Sequence, residues 1–527
     1  MANMSFKNQV IFLFSFLAFF SAPLFSQEDA EALPGDSIYE SNLPQEDAHS
    51  DDPVYIINSF VFNIDGYTQP YALINKGDLT AGVEIRGLSN LEKYVQEKTQ
   101  LLYNERVLES VSIEYFTGQL REDGKYPVDI VIYVKDTWNI VVLPRPMYSS
   151  NSGWDITIKA RDYNFLGTMS PLRLDLGYKY DEEGRSSFLF MIDSNIPFRL
   201  LNLNWNFKFE NDFSYRPDVR LPFYYKNTTG LSVEFPLGQT VITTGFNEGL
   251  YLNEENPDSD KDLYGEFQEG LFMSSSPYIS WKIPFGVEIG EWGELVYTPK
   301  IQAYFNHEFP GWPLNENRKG PFLIFNHSFG FARVDWIDNF LRGFDVEIYN
   351  SNNIDFFKMK NSEQEPFNAY IKVTGIGYFI IADFFGVSTR LMYRQWLLYD
   401  KGYEDAGDVM RGILDRNIHA DYMFSLNLDL PFKVLRFKLS KWLDNQKLKL
   451  FDFDLHLIPV FDAAVFHDPA DKISLDSENF LFSGGFEVIV FPDFFRSLFL
   501  RVSLGFNLSD LQEKNNYEIF FGTDLHY

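Results

Sequence analysis

Side chains that could carry catalysis are few and scattered in this sequence of 527 residues. It has no Gly-x-Ser-x-Gly nucleophile elbow, no His-Glu-x-x-His pair and no phosphate-binding glycine loop, and it contains no Cys and only seven His. Nucleophilic, metal-assisted and phosphoryl-transfer chemistry need such groups at defined spacings. The sequence therefore predicts a protein that is not an enzyme, with no catalytic residue and no cofactor. Paired carboxylates for acid–base hydrolysis stay open as an alternative.

Four carboxylates between residues 258 and 269 imitate part of a calcium-binding loop. They are Asp258, Asp260, Asp262 and Glu269. A calcium loop needs a glycine at its sharp turn, and Leu263 stands in that place. The spacing favours an acidic loop, so no metal site is predicted, and calcium binding is the alternative.

Several polar side chains near residue 460, most of them acidic, share one face of a predicted strand. The polar face carries Asp452, Asp454, His456 and Asp462, and the opposite face carries Phe451, Phe453, Leu455 and Leu457. Successive side chains of a strand point to opposite faces, so Asp462 is expected on the polar one. A carboxylate there could bind a buried Arg, whose planar fork fixes orientation as well as charge.

The predicted strand with this polar face belongs to a long region in which apolar and polar side chains alternate with a period of two residues. From Trp138 onwards apolar and polar side chains alternate, most clearly in residues 172–180, 201–210 and 422–430. In the second of these runs, one face carries Leu201, Leu203, Trp205, Phe207 and Phe209. No clear helical period interrupts the alternation. The period of two residues therefore predicts an antiparallel sheet from Trp138 onwards.

Such alternation fits either a soluble sheet with one wet face or a membrane barrel with a polar lumen. Aromatic residues, 18% of the chain, crowd the apolar faces, and a soluble sandwich of this extent would need several domains. We predict a mainly β fold, with residues 138–527 forming a transmembrane antiparallel β-barrel of 16 strands, or 18 if residues 266–309 hold an additional hairpin. Helical spans are not expected after residue 26, because no sufficiently long apolar run follows.

The first 52 residues predict export and a tether. Lys7 and the apolar run from Val10 to Phe20 are typical of a secretory signal peptide over residues 1–26, with an uncleaved anchor as the alternative. Residues 27–52 carry nine Asp or Glu and no Lys or Arg, which predicts a disordered acidic linker. The net charge of −29 argues against nucleic acid as a partner, because a phosphate backbone needs a basic surface.

Residues 53–137 predict one small α+β domain in front of the barrel. A Val-, Ile- and Phe-rich strand is followed by a short helix and then by a longer helix, which a capping-box pair, Ser89 and Glu92, would open. Two strands complete the domain. The predicted order is β-α-α-β-β.

The last six residues form a specific local signal. Gly522, Leu525 and Tyr527 fit the Gly-x-x-hydrophobic-x-aromatic pattern by which outer-membrane barrels are recognised for assembly. An assembly machine can pair with such a strand by β-augmentation. The alternative is a last strand that simply ends in Tyr.

Residues 53–527 together resemble the POTRA-plus-barrel superfamily of outer-membrane assembly factors, the BamA/TamA or bacterial surface antigen group. The front domain has the element order of one POTRA module, and Ile-Asp-Gly-Tyr-Thr at residues 64–68 is similar to its first turn. Arg-Asp-Tyr-Asn-Phe-Leu-Gly at residues 161–167 resembles the turn that closes an early barrel hairpin in the family. Only one such module fits before the barrel, whereas the family's central assembly factors carry several.

A loop motif and its partner carry the sharpest part of this resemblance. Arg411, Gly412 and Ile413 resemble the Arg-Gly-aromatic tip of the family's sixth extracellular loop, which folds back into the lumen, with Ile413 in place of the aromatic residue. Asp462 is similar to the inward Asp of a later strand, with Ala464 in place of a Gly. The resemblance implies that this tip is locked to Asp462 inside the lumen. The alternative is a solvated arginine on an exposed loop.

The resemblance implies work on other proteins. We predict a bacterial outer-membrane protein, surrounded by the lipid bilayer and with its front domain in the periplasm. It would insert or translocate unfolded outer-membrane or secreted clients through a laterally opening barrel, with periplasmic accessory proteins as further partners. The alternatives are a passive channel with a periplasmic tether, a surface antigen, and an outer-membrane enzyme such as a lipase.

Overall fold

The computed structural model describes residues 52–149, 153–180, 184–254, 270–314, 318–360, 366–398, 404–405, 409–413, 419–467, 479–509 and 516–522. The residues from Pro53 onwards belong to one compact unit. The predicted signal peptide, the acidic linker apart from Asp52, and the acidic loop 258–269 lie outside the described residues. No helix among the described residues is long and apolar enough to cross a membrane.

The front of the unit that begins at Pro53 is a four-stranded sheet with two helices. Its elements are β1 (Val54–Asp65), α1 (Pro70–Lys76), β2 (Glu84–Arg86), α2 (Leu88–Asn104), β3 (Leu108–Thr117) and β4 (Lys125–Asp136). The strand order is β2-β1-β4-β3, and β1 runs parallel to β4. The predicted order lacked β2, because a strand of three residues is too short to show a period.

The start of α2 also differs from the prediction. The N-cap is Gly87, not Ser89, and no side chain caps the helix. The helix packs its buried Leu91 and Leu102 against the sheet. Burial of this apolar face, rather than a capping box, therefore holds α2 in place.

The remaining strands form a closed barrel. They are β5 (Ile140–Ser149), β6 (Gly153–Asp162), β7 (Leu172–Tyr180), β8 (Ser186–Leu200), β9 (Leu203–Tyr215), β10 (Phe223–Leu237), β11 (Thr240–Leu252), β12 (Leu271–Glu288), β13 (Glu294–Glu308), β14 (Phe322–Ile337), β15 (Phe340–Asp355), β16 (Phe367–Ala382), β17 (Phe385–Leu398), β20 (Tyr422–Asp429), β21 (Phe432–Phe437), β22 (Phe453–His467), β23 (Phe480–Pro492), β24 (Leu500–Asn507) and β25 (Tyr517–Gly522). Outside the barrel are the short pair β18 (Glu404–Asp405) and β19 (His419–Ala420), and the helices α3 (Phe356–Lys360) and α4 (Leu439–Trp442).

The described strands occupy eighteen positions around the barrel. Both β20 and β21 pair with β17 on one side and with β22 on the other, so they are two halves of one strand, interrupted at Pro431. The positions are thirteen from β5 to β17, one shared by β20 and β21, and four from β22 to β25. The predicted antiparallel barrel is confirmed, with the larger of the two strand numbers.

The two faces of the barrel wall have opposite chemistry. Large apolar side chains are exposed on the outside, for example Trp281, Phe305 and Phe461 at 42%, 42% and 40%. Buried polar side chains face inwards, such as Gln302 and Asn427. A soluble core has the reverse arrangement. One predicted strand began too early, because Leu201 has a positive φ and belongs to the turn between β8 and β9.

The front domain rests on the end of the barrel where the turn after β14 lies. The Arg106 guanidinium stacks 4.3 Å from the Trp336 ring centroid, and its Nε donates to the backbone carbonyl of Arg496. Arg496 stacks in turn 4.1 Å from the Tyr103 ring. Thr137 donates a hydrogen bond of 2.7 Å to the Phe494 carbonyl. These contacts join the domain to the end of β14 and to the turn between β23 and β24.

A second set of contacts joins the domain to the first barrel hairpins. The N–H of Gln69 donates to the Gly167 carbonyl at 2.8 Å, and Asn164 donates to Thr68 at 2.8 Å. Gly167 has φ +73°, and a Cβ there would lie 2.1 Å from the Tyr67 carbonyl oxygen. The turn singled out in the sequence at residues 161–167 is thus a docking point for the domain, which is held on two sides of the barrel mouth.

We expect Arg106→Ala to loosen this docking, because it removes the stacking and hydrogen bonds of a buried guanidinium, worth about 2 kcal/mol together. The chain has no Cys, so Cys and a spin label can be introduced at Glu114 and Gln239 without background. Distance distributions between the labels should broaden in Arg106→Ala and stay narrow in the surface control Lys93→Ala. A narrow, unshifted distribution in Arg106→Ala would show that the docking does not depend on Arg106.

Candidate functional site in the lumen and at the barrel seam

The strand β22 carries an inward carboxylate in the middle of the last third of the barrel. Asp462 is 1% exposed, whereas its neighbour Phe461 is 40% exposed on the outside. The alternation of the sequence produces this arrangement directly. Asp462 therefore presents a charge to the lumen.

The loop between β17 and β20 brings Arg411 to this carboxylate. The Arg411 backbone N–H and Nε each donate to one Asp462 oxygen at 2.9 Å, and Nη2 donates to the other oxygen at 2.5 Å. Arg411 is 5% exposed. The two side-chain bonds form a bidentate pair, and the backbone bond fixes the loop as well as the side chain.

Two further carboxylates face the same guanidinium. Nη1 of Arg411 lies 2.7 Å from a carboxylate oxygen of Asp429 on β20 and 3.5 Å from one of Glu487 on β23. Arg501 on β24 lies 3.4 Å from the same Glu487 oxygen. The loop tip is thus bound by charge to β20, β22 and β23 together.

Gly412 lets the tip lie directly on the barrel wall. Its φ is +78°, and a Cβ there would lie 2.6 Å from backbone atoms of Gly505 and Phe506 on β24. Its N–H donates to the carboxylate of Glu518 on β25 at 2.9 Å. Only glycine has both the conformational freedom and the small size for this position. The tip therefore reaches the last strand of the barrel.

Ile413 is buried at 4% in an apolar cluster beside this network. The other buried members are Met392, Val409, Met410, Ala420, Met423, Ala464 and Leu481. An aliphatic side chain fits among these methionines, which adapt to irregular spaces. This cluster packs Ile413 beside the Arg411 network.

The seam between the first and last strands is short. In the described residues β25 pairs with β5 at only two positions, Glu518 with Ser149 and Ile519 with Tyr148. Most other neighbouring strands pair over eight or more positions, and β14 pairs with β15 over sixteen. Gly522, the first residue of the predicted C-terminal signal, lies at the end of β25. Leu525 and Tyr527 lie outside the described residues.

Two prolines remove hydrogen-bond donors from the seam. The Asn139 carbonyl accepts from Tyr163 at the start of the β5–β6 ladder, so the odd-numbered residues of β5 direct their backbone groups to β6. The even-numbered residues, including Pro144 and Pro146, face β25 instead. Proline has no N–H and is tolerated only at such an edge. The first strand therefore cannot complete a ladder with the last.

A side chain replaces one of the missing donors. The carbonyl of Asn516, just before β25, accepts from the Asn507 N–H of β24. The even-numbered residues of β25 therefore direct their backbone groups to β24, and the odd-numbered Phe521 directs its carbonyl to the seam. The register places this carbonyl opposite Pro146. The Nε of Arg145 donates to it at 2.7 Å, and its guanidinium stacks 4.7 Å from the Phe520 ring. Among the described residues the ladder ends before Pro146, and the Arg145 side chain bridges the gap.

Several members of these two sites could not be predicted from the sequence. The sequence does not identify Asp429, Glu487 or Glu518, because their convergence depends on the register of strands far apart in sequence. The prolines at 144 and 146 were visible, and a proline inside a predicted strand indicates an edge. Among the described residues no group of three His, Cys, Asp or Glu is arranged to hold a metal ion.

We expect Asp462→Asn to lower the free energy of unfolding by about 3 kcal/mol, because it leaves a buried guanidinium without its bidentate partner. Arg411→Lys should have a similar effect, since Lys lacks the fork. The measurement is the midpoint of urea unfolding in lipid vesicles. The gel mobility of the folded barrel is the signal that monitors unfolding. The control is Asp193→Asn, whose partner Arg173 is half exposed, and it should cost less than about 1 kcal/mol. Equal midpoints for Asp462→Asn and the control would show that the buried Arg411–Asp462 pair stabilises the barrel no more than an exposed pair does.

Gly412→Ala tests the close approach of the tip to β24. The control Gly311→Ala has a similar φ of +85° but nothing within 4 Å of the added Cβ, so it should cost only the conformational strain of about 1–2 kcal/mol. Gly412→Ala should cost clearly more, in the same urea measurement, because the new atom overlaps the backbone of β24. If both variants lose the same amount, the tip does not press on the wall.

No protein-family model matches this sequence, and no curated protein matches it. Solved structures do resemble it. CdiB from Acinetobacter baumannii is 11% identical with a TM-score of 0.48, over 89% of this chain and 73% of that one. CdiB from Escherichia coli is 8% identical with a TM-score of 0.40, over 91% and 92%.

BamA from Haemophilus ducreyi lacking POTRA domains 1–3 is 12% identical with a TM-score of 0.33, over 89% of this chain and 83% of that one. All three likenesses concern the fold alone. With identities and scores this low, the function of this chain has to be argued from its own geometry.

Proposed function

We propose that this protein is an outer-membrane assembly or translocation factor whose barrel opens sideways between β5 and β25. The observation that carries the proposal is the seam, where the described residues of β5 and β25 pair at two positions and Pro144 and Pro146 face the last strand. The front domain would lie in the periplasm and receive unfolded outer-membrane or secreted proteins. No nucleotide is required by this mechanism.

The chemistry of the wall supports a place in a lipid bilayer. The outside carries exposed Phe, Trp, Leu and Ile side chains along the strands, and the inside carries buried Ser, Asn, Asp and Arg. A closed barrel leaves no backbone group unpaired in hydrocarbon, which is a requirement for crossing it. The same pattern in water would expose an apolar surface far larger than soluble proteins tolerate.

Opening at the seam would cost less than opening anywhere else in the described wall. A ladder in lipid must be replaced rather than merely broken, and a client strand can replace two residue pairs easily. On β25 the backbone groups of Tyr517, Ile519 and Phe521 face the seam, whereas β5 lacks the N–H groups of its two prolines. The better template for an incoming strand is therefore the edge of β25.

The contacts of Arg411 with Asp429, Asp462 and Glu487, called the lumen lock, would confine the movement to this edge. Arg411 holds β20, β22 and β23 through Asp429, Asp462 and Glu487. The tie to β25 is a single bond from the Gly412 N–H to Glu518. We therefore expect β25 to separate from β5 while it keeps its six residue pairs with β24 and the neighbouring strands stay fixed.

The front domain offers a second edge to clients. Among the described residues β3 pairs only with β4, so one side of this ten-residue strand is open. An extended segment could add to it by β-augmentation, next to the barrel mouth on which the domain rests. This edge would present clients to the seam without any chemical step.

A passive channel is the second candidate, favoured by the polar inner face of the barrel. In a planar bilayer, a channel would show a steady large conductance that deletion of residues 400–417 leaves unchanged. An assembly factor whose lumen holds the Arg411 loop should instead conduct little until the loop is removed.

The decisive variant joins the seam covalently. Tyr148→Cys with Ile519→Cys places two thiols at a directly opposed pair of the seam, in a chain that has no other Cys. Opposed strand residues lie about 5.5 Å apart at Cα, which a disulfide can bridge. The control pair, Tyr178→Cys with Phe188→Cys, joins β7 to β8 within a complete ladder.

We expect cells that depend on the oxidised seam variant to lose other outer-membrane or secreted proteins, as cells depleted of the protein do, in quantitative proteomics. A reductant should restore them, and the control pair should have no effect. An unchanged proteome in seam-locked cells would exclude lateral opening, and an unchanged proteome after depletion would exclude the assembly role itself.

A further inference from the structure

The connection between β21 and β22 is longer and more structured than a barrel turn requires. This segment, residues 438–452, is called the rim segment here, and it contains α4 and a 3-10 helix at Gln446–Phe451. Its base is fixed, because Lys438 Nζ donates to both oxygens of Asp493 at 2.7 and 2.6 Å. The Ser440 N–H donates to Asp452 at 2.9 Å. The segment is therefore held as a defined surface at the domain-side end of the barrel.

The exposed surface of the rim segment is strongly apolar. Four large side chains are exposed there, Trp442 at 69%, Leu443 at 62%, Leu450 at 47% and Phe451 at 55%. The Trp442 ring lies 5.1 Å from the Phe437 ring, which lies 5.3 Å from Phe453 on β22. The apolar surface of the segment thus continues the outward face of the barrel wall without a break.

The same segment is basic in a strongly acidic chain. It holds four Lys and two Asp, whereas the whole chain has a net charge of −29. Lys438 and Lys449 are bound to Asp493 and to Glu109 of the front domain. Lys441 and Lys447 are exposed, and no ion pair joins them to a carboxylate among the described residues.

We infer that the rim segment is a membrane-interface site that binds anionic phospholipid headgroups. Trp442, Leu443 and Phe451 would enter the boundary between headgroups and acyl chains, where amphipathic aromatic side chains prefer to lie. Lys441 and Lys447 would bind the phosphates of the leaflet on the domain side of the barrel. This inference rests on the placement of the barrel in a bilayer and not on the handling of clients.

Lipid fits this surface better than a protein partner does. The apolar side chains are continuous with a wall that faces lipid, so a bilayer covers both at once. The two lysines beside them complement an anionic headgroup layer, and each can raise the affinity for such a layer about fivefold. A protein would have to cover the segment while avoiding the lipid that begins at Phe453.

The test measures quenching of Trp442 by brominated lipids in the purified full-length protein. The protein is placed in vesicles of phosphatidylcholine that contain either brominated phosphatidylglycerol or brominated phosphatidylcholine, with bromine near the headgroup end of the chains. The chain has nine Trp, so the Trp442 signal is the difference between wild type and Trp442→Phe. Gel mobility of the folded barrel checks every variant.

We expect Trp442 to be quenched by both lipids, and several-fold more by phosphatidylglycerol at equal mole fraction. Lys441→Gln with Lys447→Gln should abolish the preference for phosphatidylglycerol but keep the quenching by phosphatidylcholine. The control Lys93→Gln with Lys360→Gln removes the same charge elsewhere and should keep the preference. The inference fails if Trp442 is unquenched, as it would be on a protein-docking face, or if wild type shows no lipid preference. Neither result would bear on the seam.

Discussion

In a bilayer every backbone N–H and C=O must find a partner within the protein, and this requirement governs the structure. Most of the barrel meets it with long antiparallel ladders, such as the sixteen residue pairs between β14 and β15. Between its described residues the seam meets it with two pairs and a side chain, and Pro144 and Pro146 have no N–H to give. The weakness of the seam therefore follows from the amino-acid sequence of β5, and it does not depend on a bound partner.

The other features limit what this weak point can do. Arg411 holds three strands of the last third of the barrel through three carboxylates, and buried charges arranged in this way are costly to separate. The front domain contacts turns of both the first and the last barrel strands. Both devices hold the wall beside the seam, so the edge between β5 and β25 is the least supported part of the described wall.

Much of the fold could be predicted from the sequence, because alternation along a strand is a local property. It indicated the barrel and the side of β22 on which Asp462 lies, and the structure brings Arg411 to that residue. Asp429, Glu487 and Glu518 could not be assigned, since their meeting depends on strand register, which sequence specifies only through long-range packing. Local rules also failed at α2, where Gly87 stands at the cap, and at Leu201, where a turn forces a positive φ on a residue that does not signal one.

The central claim is that the last strand is held more weakly at its seam edge than any fully laddered strand. Hydrogen–deuterium exchange of the protein in lipid nanodiscs measures this strength residue by residue. The amides of Ile519 and Phe521 should exchange orders of magnitude faster than those of Phe325 and Phe329 in β14. Equally slow exchange at both places would show that the seam is closed as firmly as the rest of the wall.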